Sequence, residues 1–411
     1  MERIGTTLTK PSYRVPLVSE VAALPHNGYN VVSLFSGGGG SCFGFRMDGY
    51  KVLYANEFVE SARATYRANA SPDTYLDDRD VRTVTGDSIR KIIGTSEIDI
   101  LEGSPPCSAF STAGKINKHW GQVNSYSDTE QRVDDLFFEY SRLVGELRPK
   151  VFIAENVKGL VRGVSKGYFL EILAALRAHG YKVETRVLNA AWLGVPQARE
   201  RLIFVGVRND LALDPAFPNP LPYSYSIQDA IPTIRHIEQV KVFGEGSILT
   251  EGKEPLPTVS AAGVGIKNAY QVEVTSSEDL DVDPETGANL NIDRYAIGLE
   301  WKQIRQGGKS QRYFSLVRPK SDAPSPTITA IGGITGVASV THPDSPRKFS
   351  LTELRLLSGF PTDFQLVSAG ASSPAHDYRM RWERIGRAVP PPMMYAVAKA
   401  VRENILDKVK E

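Results

Sequence analysis

The chain has 411 residues, which is long enough for a sizeable core and predicts two domains, and its 41% hydrophobic and 23% charged residues are ordinary for a globular protein. No apolar run is long enough to span a membrane, the first residues lack the apolar core of a secretory signal, and Cys42 and Cys107 are too few for a disulfide framework, so we expect a reducing cytoplasm. The net charge of +1 neither favours nor excludes DNA binding, and none of the six histidines pairs with a cysteine at zinc-ligand spacing, so no metal site is expected.

The first two hundred residues alternate short apolar runs with helical stretches, the pattern of a parallel α/β sheet. The predicted strands are Asn30–Phe35, Lys51–Ala55, Ile98–Leu101, Lys150–Ala154, Lys182–Ala190 and Arg201–Val207. Apolar residues at helical spacing predict helices at Val133–Leu147 and Tyr168–His179.

The residue composition changes at about Leu211. From there to about Pro346 the chain is rich in Gly, Pro, Ser and Thr, which predicts a smaller, irregular β-rich domain inserted into the α/β domain. Helices return at Ser350, where Ser350 and Glu353 form a capping-box pattern, and at Pro392–Lys408. The predicted divisions are an N-terminal extension (1–30), a catalytic and cofactor-binding domain (31–215), the inserted domain (216–346) and a C-terminal segment (347–411) that returns to the catalytic domain.

Two charge runs lie in or near the inserted domain. Residues 301–320 contain six Lys or Arg and no acid, whereas residues 271–290 contain six acids and no base. Taken alone, each run is typical of a solvated surface.

A glycine turn, Ser36-Gly-Gly-Gly-Gly-Ser41, follows the first predicted strand and precedes a helix. Such a turn lets backbone N–H groups and the helix dipole approach a polar ligand. Glu57 stands at the end of the next strand, where a carboxylate can accept from ribose hydroxyls, and Gly86-Asp87 is a candidate for the adenine edge. The pattern favours an adenosine-containing cofactor, and at this point a nicotinamide cofactor fits equally well.

Cys107 follows the strand Ile98–Leu101 on a stiff Pro105-Pro106 turn, at the sheet edge where open α/β folds place their chemistry. We therefore predict a nucleophile at Cys107, whereas Cys42, beside two phenylalanines on a helix, is predicted to be a small buried apolar residue.

Glu155 closes another apolar strand, VFIAENV, where partial desolvation would raise its pKa and let it carry a proton near neutrality. Arg199 and Arg201 are two apart on a predicted extended segment, so their side chains point the same way and can grip a carboxylate or a phosphate.

Five motifs now stand in one order, and together the chain from about Val31 to its end resembles the DNA cytosine-5 methyltransferase family. The motifs are Phe35-Ser-Gly-Gly-Gly, Pro105-Pro106-Cys107, Glu155-Asn156-Val157, Gln197-Ala-Arg199-Glu-Arg201 and Gly386-Arg-Ala-Val-Pro390. The resemblance implies a Rossmann-like fold dependent on S-adenosylmethionine, with a target-recognition domain at 216–346. It also implies an enzyme that acts on double-stranded DNA, nucleoid-associated or phage-encoded, with a possible restriction endonuclease partner. We expect a monomer, since a single chain can supply both the catalytic and the recognition domain.

The resemblance also implies roles for individual residues. The Cys107 thiolate would attack C6 of a flipped-out cytosine, Glu155 would bind or protonate N3, Asn156 would hold the surrounding loop, Arg199 would bind O2, and Arg201 would support the loop. Cofactor contacts are implied for Phe35, Gly37, Gly39, Glu57, Phe58, Asp87, Pro106, Leu136, Arg387, Ala388 and Val389. DNA contacts are implied for Ser108, Gln197, Thr327, Lys309 and Arg312, and the basic cluster Lys302–Lys320, with Trp301, Tyr313 and Phe314, becomes a candidate phosphate and groove contact.

Three positions depart from the family pattern. Ser108 replaces the usual glutamine and Arg387 the usual asparagine, both near the transferring end of the cofactor, and the third, Ile331, lies in a stretch expected to border the same pocket. An arginine beside a positive sulfonium is unfavourable unless the cofactor carries an added negative group. Carboxy-S-adenosylmethionine, giving 5-carboxymethylcytosine, is therefore an alternative. The simpler interpretation is that Arg387 turns outward or pairs with the cofactor's own carboxylate or a nearby acid, and a methyl group is transferred.

Three further alternatives remain at the level of sequence. A catalytically silent DNA-binding relative is disfavoured by the intact Cys107, Glu155 and Arg199. A family member acting on transfer RNA is disfavoured by the long inserted domain, because a reader of duplex sequence needs such a module. A nicotinamide oxidoreductase would share only the glycine turn.

Overall fold

A computed structural model describes residues 10–95, 97–106, 135–163, 165–231 and 280–409, and also the strands 124–126 and 129–131. Its strands are β1 (Asn30–Leu34), β2 (Lys51–Asn56), β3 (Tyr75–Asp77), β4 (Ile100–Gly103), β5 (Asn124–Tyr126), β6 (Thr129–Gln131), β7 (Val151–Val157), β8 (Tyr181–Asn189), β9 (Gln197–Ala198), β10 (Glu200–Arg208), β11 (Gly308–Lys309), β12 (Val317–Arg318) and β13 (Ser325–Pro326). Its helices are α1 (Val18–Ala22), α2 (Gly40–Met47), α3 (Glu60–Asn69), α4 (Gly86–Ile93), α5 (Leu136–Leu147), α6 (Ser165–Ala178), α7 (Ile227–Ala230), α8 (Ala296–Gln303), α9 (Leu351–Leu357), α10 (Pro374–Arg387), α11 (Pro391–Val401) and α12 (Asp407–Val409), with a π-helical turn at Arg402–Leu406 before α12.

Seven strands form one central sheet in the order β3-β2-β1-β4-β7-β10-β8. The pairs from β3 to β7 are parallel, as the alternating pattern predicts, but β10 runs antiparallel to both β7 and β8. The expectation of a wholly parallel sheet is therefore wrong at β10. The reason is the short link from β8 to β10. It contains a 3₁₀ turn and β9 but no crossover helix, so β10 runs back beside β8 in the opposite direction.

Each face of the sheet is buried by different helices. On β1, Val32 faces a cluster that contains Phe137 and Tyr140 of α5, whereas Val31 faces a cluster that contains Phe45 of α2 and Met393 of α11. Successive residues of a strand point to opposite faces, so a run of apolar residues in β1 serves both layers. The C-terminal helix α11 thus completes the core on one face of a sheet built from the first half of the chain.

The region before α9 has little regular structure where it is described. Within residues 280–346 the strands β11, β12 and β13 have two residues each, and a small core gathers around Trp301 of α8. Trp301 is buried, its Nε1 donates to Oγ1 of Thr341 at 2.9 Å, and the Arg318 guanidinium lies 3.9 Å from its ring centroid. The expectation that Trp301 belongs to an exposed basic and aromatic surface is therefore wrong, because this ring is part of the local core.

The acidic run is also not uniformly solvated. Asp283 is fully buried, and its Oδ2 accepts from the backbone N–H of Leu351 at 2.9 Å, at the start of α9. The capping box of α9 is present, with Ser350 accepting from the N–H of Glu353 at 3.2 Å. Both contacts satisfy N–H groups that the first turn of a helix leaves without partners.

Candidate active site

A cavity of about 660 Å³ opens where β1, β2, β4 and β7 end, a size usual for small-molecule sites. One side, called here the sheet wall, is formed by the cavity-lining residues at the ends of these strands and just after them, together with Asp80, Val81, Leu136, Arg199 and Arg201. The opposite side, called here the C-terminal wall, is formed by the cavity-lining residues of 315–340 and 384–389. The cavity therefore lies between the sheet and the C-terminal part of the chain.

The glycine turn bends sharply at the base of the sheet wall. Phe35 and Gly37 both have φ of 55°, a left-handed conformation that is costly for a phenylalanine and typical of functional sites. The N–H of Gly37 donates to Oε2 of Glu57 at 2.7 Å, and the N–H of Val59 donates to Oε1 at 2.8 Å. Burial raises the pKa of Glu57, and these two hydrogen bonds oppose that rise. Glu57 thus both fixes the turn and lines the cavity.

Two predicted cofactor contacts, Gly39 and Asp87, do not line the cavity. Gly39 has φ of 92° and its missing side chain would face the ring of Tyr66, away from the opening. The side chain of Asp87 is 98% exposed in the first turn of α4, where it pairs with Arg90. The chain reaches the cavity earlier, at Asp80 and Val81 after β3, and α4 then leads it away.

The other predicted cofactor contacts line the cavity. From the sheet wall these are Phe35, Gly37, Glu57, Phe58, Pro106 and Leu136, and from the C-terminal wall Arg387, Ala388 and Val389. Gly40 lies where the two walls meet, since a side chain there would approach the Val389 carbonyl oxygen to 2.5 Å.

Glu155 and Arg201 form a buried ion pair at the cavity surface. Arg201 Nε lies 2.5 Å from Glu155 Oε1, and these side chains are only 13% and 10% exposed. The next residue, Asn156, donates from Nδ2 to the backbone oxygen of Pro105 at 3.2 Å and so ties β7 to the Pro-Pro turn. Cys107 and Ser108 lie outside the described residues.

Arg199 joins the two walls from within. Its Nη1 donates to the backbone oxygen of Ile328 at 3.0 Å and its Nη2 to that of Gly386 at 2.9 Å. Arg199 and Arg201 both line the cavity, in agreement with their predicted common direction. Burial and the nearby positive charge of Arg201 lower the pKa of Arg199 well below its usual range. A buried guanidinium that holds two carbonyl oxygens is part of the scaffold of the site as well as of its surface.

Gln197, predicted to contact DNA, is instead buried behind the cavity. Its Nε2 donates to Oγ of Ser358 at 3.1 Å, and its Oε1 accepts from the N–H of Ile328 at 3.1 Å. Both ends of the amide are used within the protein, so Gln197 is a second link between the walls. Thr327 does line the cavity, and its hydroxyl donates to the Ala198 oxygen at 3.0 Å.

Arg387 lies in the C-terminal wall and has an acidic partner on its own helix. Its Nε donates to Oε1 of Glu383 at 2.8 Å, one helical turn earlier. Ile331 lines the same cavity and is 57% exposed. A positive and a negative group therefore stand together at this part of the wall.

Lys309 and Arg312 lie on the surface near the cavity mouth without lining it. Each cation lies beside a ring, Lys309 with its Nζ 5.6 Å from the Phe314 centroid and Arg312 with its guanidinium 5.3 Å from that of Tyr313. Phe314 is 84% exposed, and the next residue, Ser315, lines the cavity. One exposed ring and two surface cations therefore lie in the segment just before the cavity-lining Ser315, and this segment is called here the rim.

Cys42 is buried, as predicted, and burial raises its pKa to about 12, so it is an inert thiol. Among the described residues no group of acidic, His and Cys side chains could hold a metal ion, and no helix is long and apolar enough to cross a membrane.

Several lining residues were not predicted. Asp80 and Val81 follow a strand of only three residues, too short to produce a detectable pattern. Others are Ser36 and Ser41, which flank the glycines of the predicted turn, and residues without a motif, namely Ser104, Ser315, Ser339 and Arg384. Their positions depend on the meeting of distant segments.

Comparison with known proteins shows which family the chain belongs to. A model of the C-5 cytosine-specific DNA methylase family matches residues 29–403. The Type II methyltransferase M1.HphI of Haemophilus parahaemolyticus is 30% identical over 90% of this chain and 86% of its own length, and M.Eco47II of Escherichia coli is 30% identical over 94% and 82%. A candidate DNA modification methyltransferase encoded in an E. coli prophage has a similar fold, with a TM-score of 0.64 at 21% identity over 92% of this chain and all of that one. A DNMT2 variant of Spodoptera frugiperda has a TM-score of 0.56 at 16% identity over 91% of this chain and 99% of that one. The chain therefore belongs to the C-5 cytosine-specific DNA methylase family.

Proposed function

We propose that this protein methylates C5 of cytosine in double-stranded DNA, with the target base and S-adenosylmethionine held side by side in the cavity. The observation that carries the proposal is the buried Glu155–Arg201 pair, which opens into the same cavity as the glycine turn and Glu57. A base-binding carboxyl and a cofactor-binding turn within one enclosed space suit a transfer between the two ligands.

The residues present fit S-adenosylmethionine. Glu57 ends β2 as a buried carboxylate, Asp80 adds a second acid, and Phe58, Val81 and Leu136 supply apolar surface for an adenine ring. When bound, this cofactor supplies a methyl group on a positively charged sulfur, which is electrophilic. Glu57 would hold the ribose hydroxyls, and Asp80 replaces Asp87 as the residue proposed for the adenine side.

The chemistry on the base is assigned to the sheet wall. Pro106 lines the cavity immediately before Cys107, so we assign to Cys107 the thiolate that adds to C6 of cytosine. The addition moves electron density toward C5 and N3. Glu155 would hold a proton at N3, with its carboxyl oriented by Arg201, while Asn156 would hold the Pro-Pro turn in place.

The burial of Glu155 and Arg199 requires the target base to leave the duplex. Glu155 is 8% exposed and Arg199 is 2% exposed, so neither can reach a base that stays stacked. Flipping the nucleotide into the cavity meets this requirement, and Arg199 and Thr327, at the junction of the walls, are the groups we assign to the opposite edge of the base.

Covalent trapping on a duplex containing 5-fluorocytosine tests the proposal. With S-adenosylmethionine present, the unaltered protein should form a denaturation-resistant adduct, Cys107→Ser should form none, and Cys42→Ser, which alters the buried cysteine, should still form it. An adduct that survives Cys107→Ser would disprove the assignment. A protein that binds the duplex but never forms an adduct would be a silent relative, and trapping on transfer RNA alone would move the substrate to RNA.

We assign sequence reading to residues 216–346, with Lys309 and Arg312 at the rim contacting phosphates. The double change Lys309→Ala and Arg312→Ala should weaken DNA binding and reduce the slope of log K against log salt by about 2, since each released phosphate contact removes about 0.9. Lys302→Ala is the matched control, because that lysine is already paired with Asp293 at 2.9 Å. An unchanged slope in the double variant would place the phosphate contacts elsewhere.

A second candidate follows from Arg387 in the C-terminal wall. A cofactor with a carboxylate beside the transferred carbon, carboxy-S-adenosylmethionine, would find a cation there and yield 5-carboxymethylcytosine. Glu383 already neutralises Arg387 at 2.8 Å, which favours methyl transfer. Mass spectrometry of nucleosides made with equal amounts of both cofactors distinguishes the two. Carboxymethyl product from the unaltered protein that disappears in Arg387→Asn supports the second candidate, and methyl product alone from both proteins refutes it.

We further propose that one chain acts alone on DNA and that a restriction endonuclease of the same system shares its target site. The relatives named above are Type II methyltransferases, and this chain covers more than four-fifths of each. Light scattering of the protein with a short duplex should give one protein chain per duplex, and a complex of two chains would contradict the monomer.

A further inference from the structure

A second buried carboxyl, Glu102 of β4, lies under the glycine turn. Glu102 is 1% exposed, and its Oε2 accepts from the Ser33 hydroxyl at 2.6 Å. Ser33 Oγ lies in turn 2.8 Å from Ser36 Oγ, and the Ser41 hydroxyl lies near enough to the carboxyl to lower its pKa. Ser36 and Ser41 both line the cavity, so a chain of hydroxyl groups connects Glu102 with the ligand space.

The surroundings of Glu102 disfavour its charged form. Its Oε1 is buried and has no hydrogen-bond partner among the described residues. The charge that acts on the carboxyl is that of Glu155 on the neighbouring strand, which is also negative. The other titratable groups packed around it are the Cys42 thiol of α2 and the phenols of Tyr66 and Tyr140 on α3 and α5, and burial raises the pKa of each of these three. Among the described residues, therefore, no cation acts on the carboxyl to stabilise its ionised form.

We propose that Glu102 is a positioning residue that carries a proton in the free enzyme and releases it when a cationic cofactor enters the cavity. The inference rests on the proposed cofactor. An added positive charge on the other side of the serine chain favours the carboxylate, because an opposite charge nearby stabilises the ionised form. The hydroxyls of Ser33 and Ser41 then both donate toward Glu102. The released proton leaves to solvent, and the orientation of the serines at the cavity wall becomes fixed in the loaded state.

The expected effect is measurable because burial and the nearby Glu155 raise the pKa of Glu102 to about 7. At that value about half of the molecules carry the proton at pH 7, and a fall of about one pKa unit on binding would release about 0.4 proton. The same shift would make cofactor affinity rise by about eightfold from pH 5.5 to pH 8.5.

Calorimetry in buffers of different ionisation enthalpy tests this on the whole protein. S-adenosylmethionine should bind with release of about 0.4 proton more than S-adenosylhomocysteine, whose sulfur is neutral, after the difference measured with Glu102→Gln is subtracted. The subtraction cancels the amino groups of the ligands, which titrate identically in both proteins. If Glu102→Gln does not fold, Ser36→Ala takes its place in the subtraction, because the amino groups of the ligands again cancel.

Equal proton release in the unaltered protein and Glu102→Gln, at undiminished affinity for S-adenosylmethionine, would overturn the role of Glu102 and leave the proposed function intact. If neither S-adenosylmethionine nor S-adenosylhomocysteine bound to the unaltered protein, the proposed function would instead be refuted. Ser36→Ala provides a separate readout. It should weaken the proton release without abolishing binding, since it removes one hydroxyl between Glu102 and the cavity.

Discussion

The two walls of the cavity are held by different kinds of interaction. The sheet wall follows from strand ends, where continuous ladders from β1 to β7 fix the positions of Phe35, Glu57 and Glu155. The C-terminal wall has little regular structure, and buried side chains bind its backbone. Trp382 Nε1 donates to the Thr329 oxygen at 2.8 Å, and Arg199 holds two more backbone oxygens.

This difference between the two walls indicates how each should respond to substitution. Backbone ladders constrain the glycine turn and Glu155 together, so small changes in one strand are distributed over the sheet. The C-terminal wall depends on a few buried polar side chains, each of which is costly to lose. We expect this wall to be the more sensitive to single substitutions, and the following changes test that contrast.

The largest effect is expected from Glu353→Gln. Glu353 and Arg347 form a fully buried bidentate pair at 2.8 and 2.7 Å beneath the C-terminal wall, and removing one partner leaves a buried charge unpaired. The variant should lose about 4 kcal/mol of unfolding free energy in urea. Glu139→Gln, which breaks a partly exposed pair with Arg142 on α5, should cost about 0.5 kcal/mol. Equal losses would contradict the contrast between the walls.

Arg199→Lys should weaken the contact between the sheet wall and the C-terminal wall. A lysine keeps the positive charge but cannot reach both the Ile328 and Gly386 oxygens, so we expect a loss of about 3 kcal/mol. Hydrogen exchange should increase at 326–331 and 384–389 and stay unchanged in β1 and β4. Arg208→Lys, at the exposed end of β10 and paired with Asp210, is the control and should cost less than about 1 kcal/mol. Increased exchange in the sheet strands would show that the walls are not independent.

The pH dependence of the unfolding free energy tests the buried Glu102 carboxyl under the sheet wall. Burial raises the pKa of Glu102 from 4.5 to about 7, so the folded state holds its proton more tightly than the unfolded state. The resulting stabilisation is complete below pH 4.5 and is lost as pH rises through 7. Glu102→Gln lacks this loss, and its advantage over the unaltered protein should grow from about zero at pH 4 to roughly 3 kcal/mol at pH 8. A difference in urea stability that does not vary with pH would contradict the pKa shift.

A smaller effect is expected from Gly333→Ala. A side chain at Gly333 would approach Cβ of Trp382 to 2.7 Å, so overpacking should cost about 2 kcal/mol. Gly167→Ala on α6 is the matched control, because a side chain there meets nothing within 4 Å, and it should stabilise the protein by about 0.5–1 kcal/mol. Thermal unfolding of both variants, monitored by circular dichroism, measures the contrast, and a gain at Gly333 would disprove the tight packing against Trp382.

Asp80 and Val81, which line the cavity, show the limit of pattern reasoning in the sheet wall. The glycine turn, Glu57 and Glu155 stand at the ends of strands with clear apolar runs, so their common edge follows from the alternation of strands and helices. Asp80 follows the three-residue strand β3, which leaves no such signal, so its place at the cavity is seen only in the structure.

The sequence alone determined the family, the fold class of the first two hundred residues and the motif residues of the sheet wall, because strand periodicity and turn chemistry are local properties of the chain. Only the tertiary structure decided that Gln197 joins the two walls, that Trp301 is buried, and that Arg387 already has Glu383 as a partner. The first two outcomes depend on segments that are distant in sequence and pack together only after folding. The third depends on which of several nearby acids pairs with the arginine. Periodicity and spacing do not encode either choice.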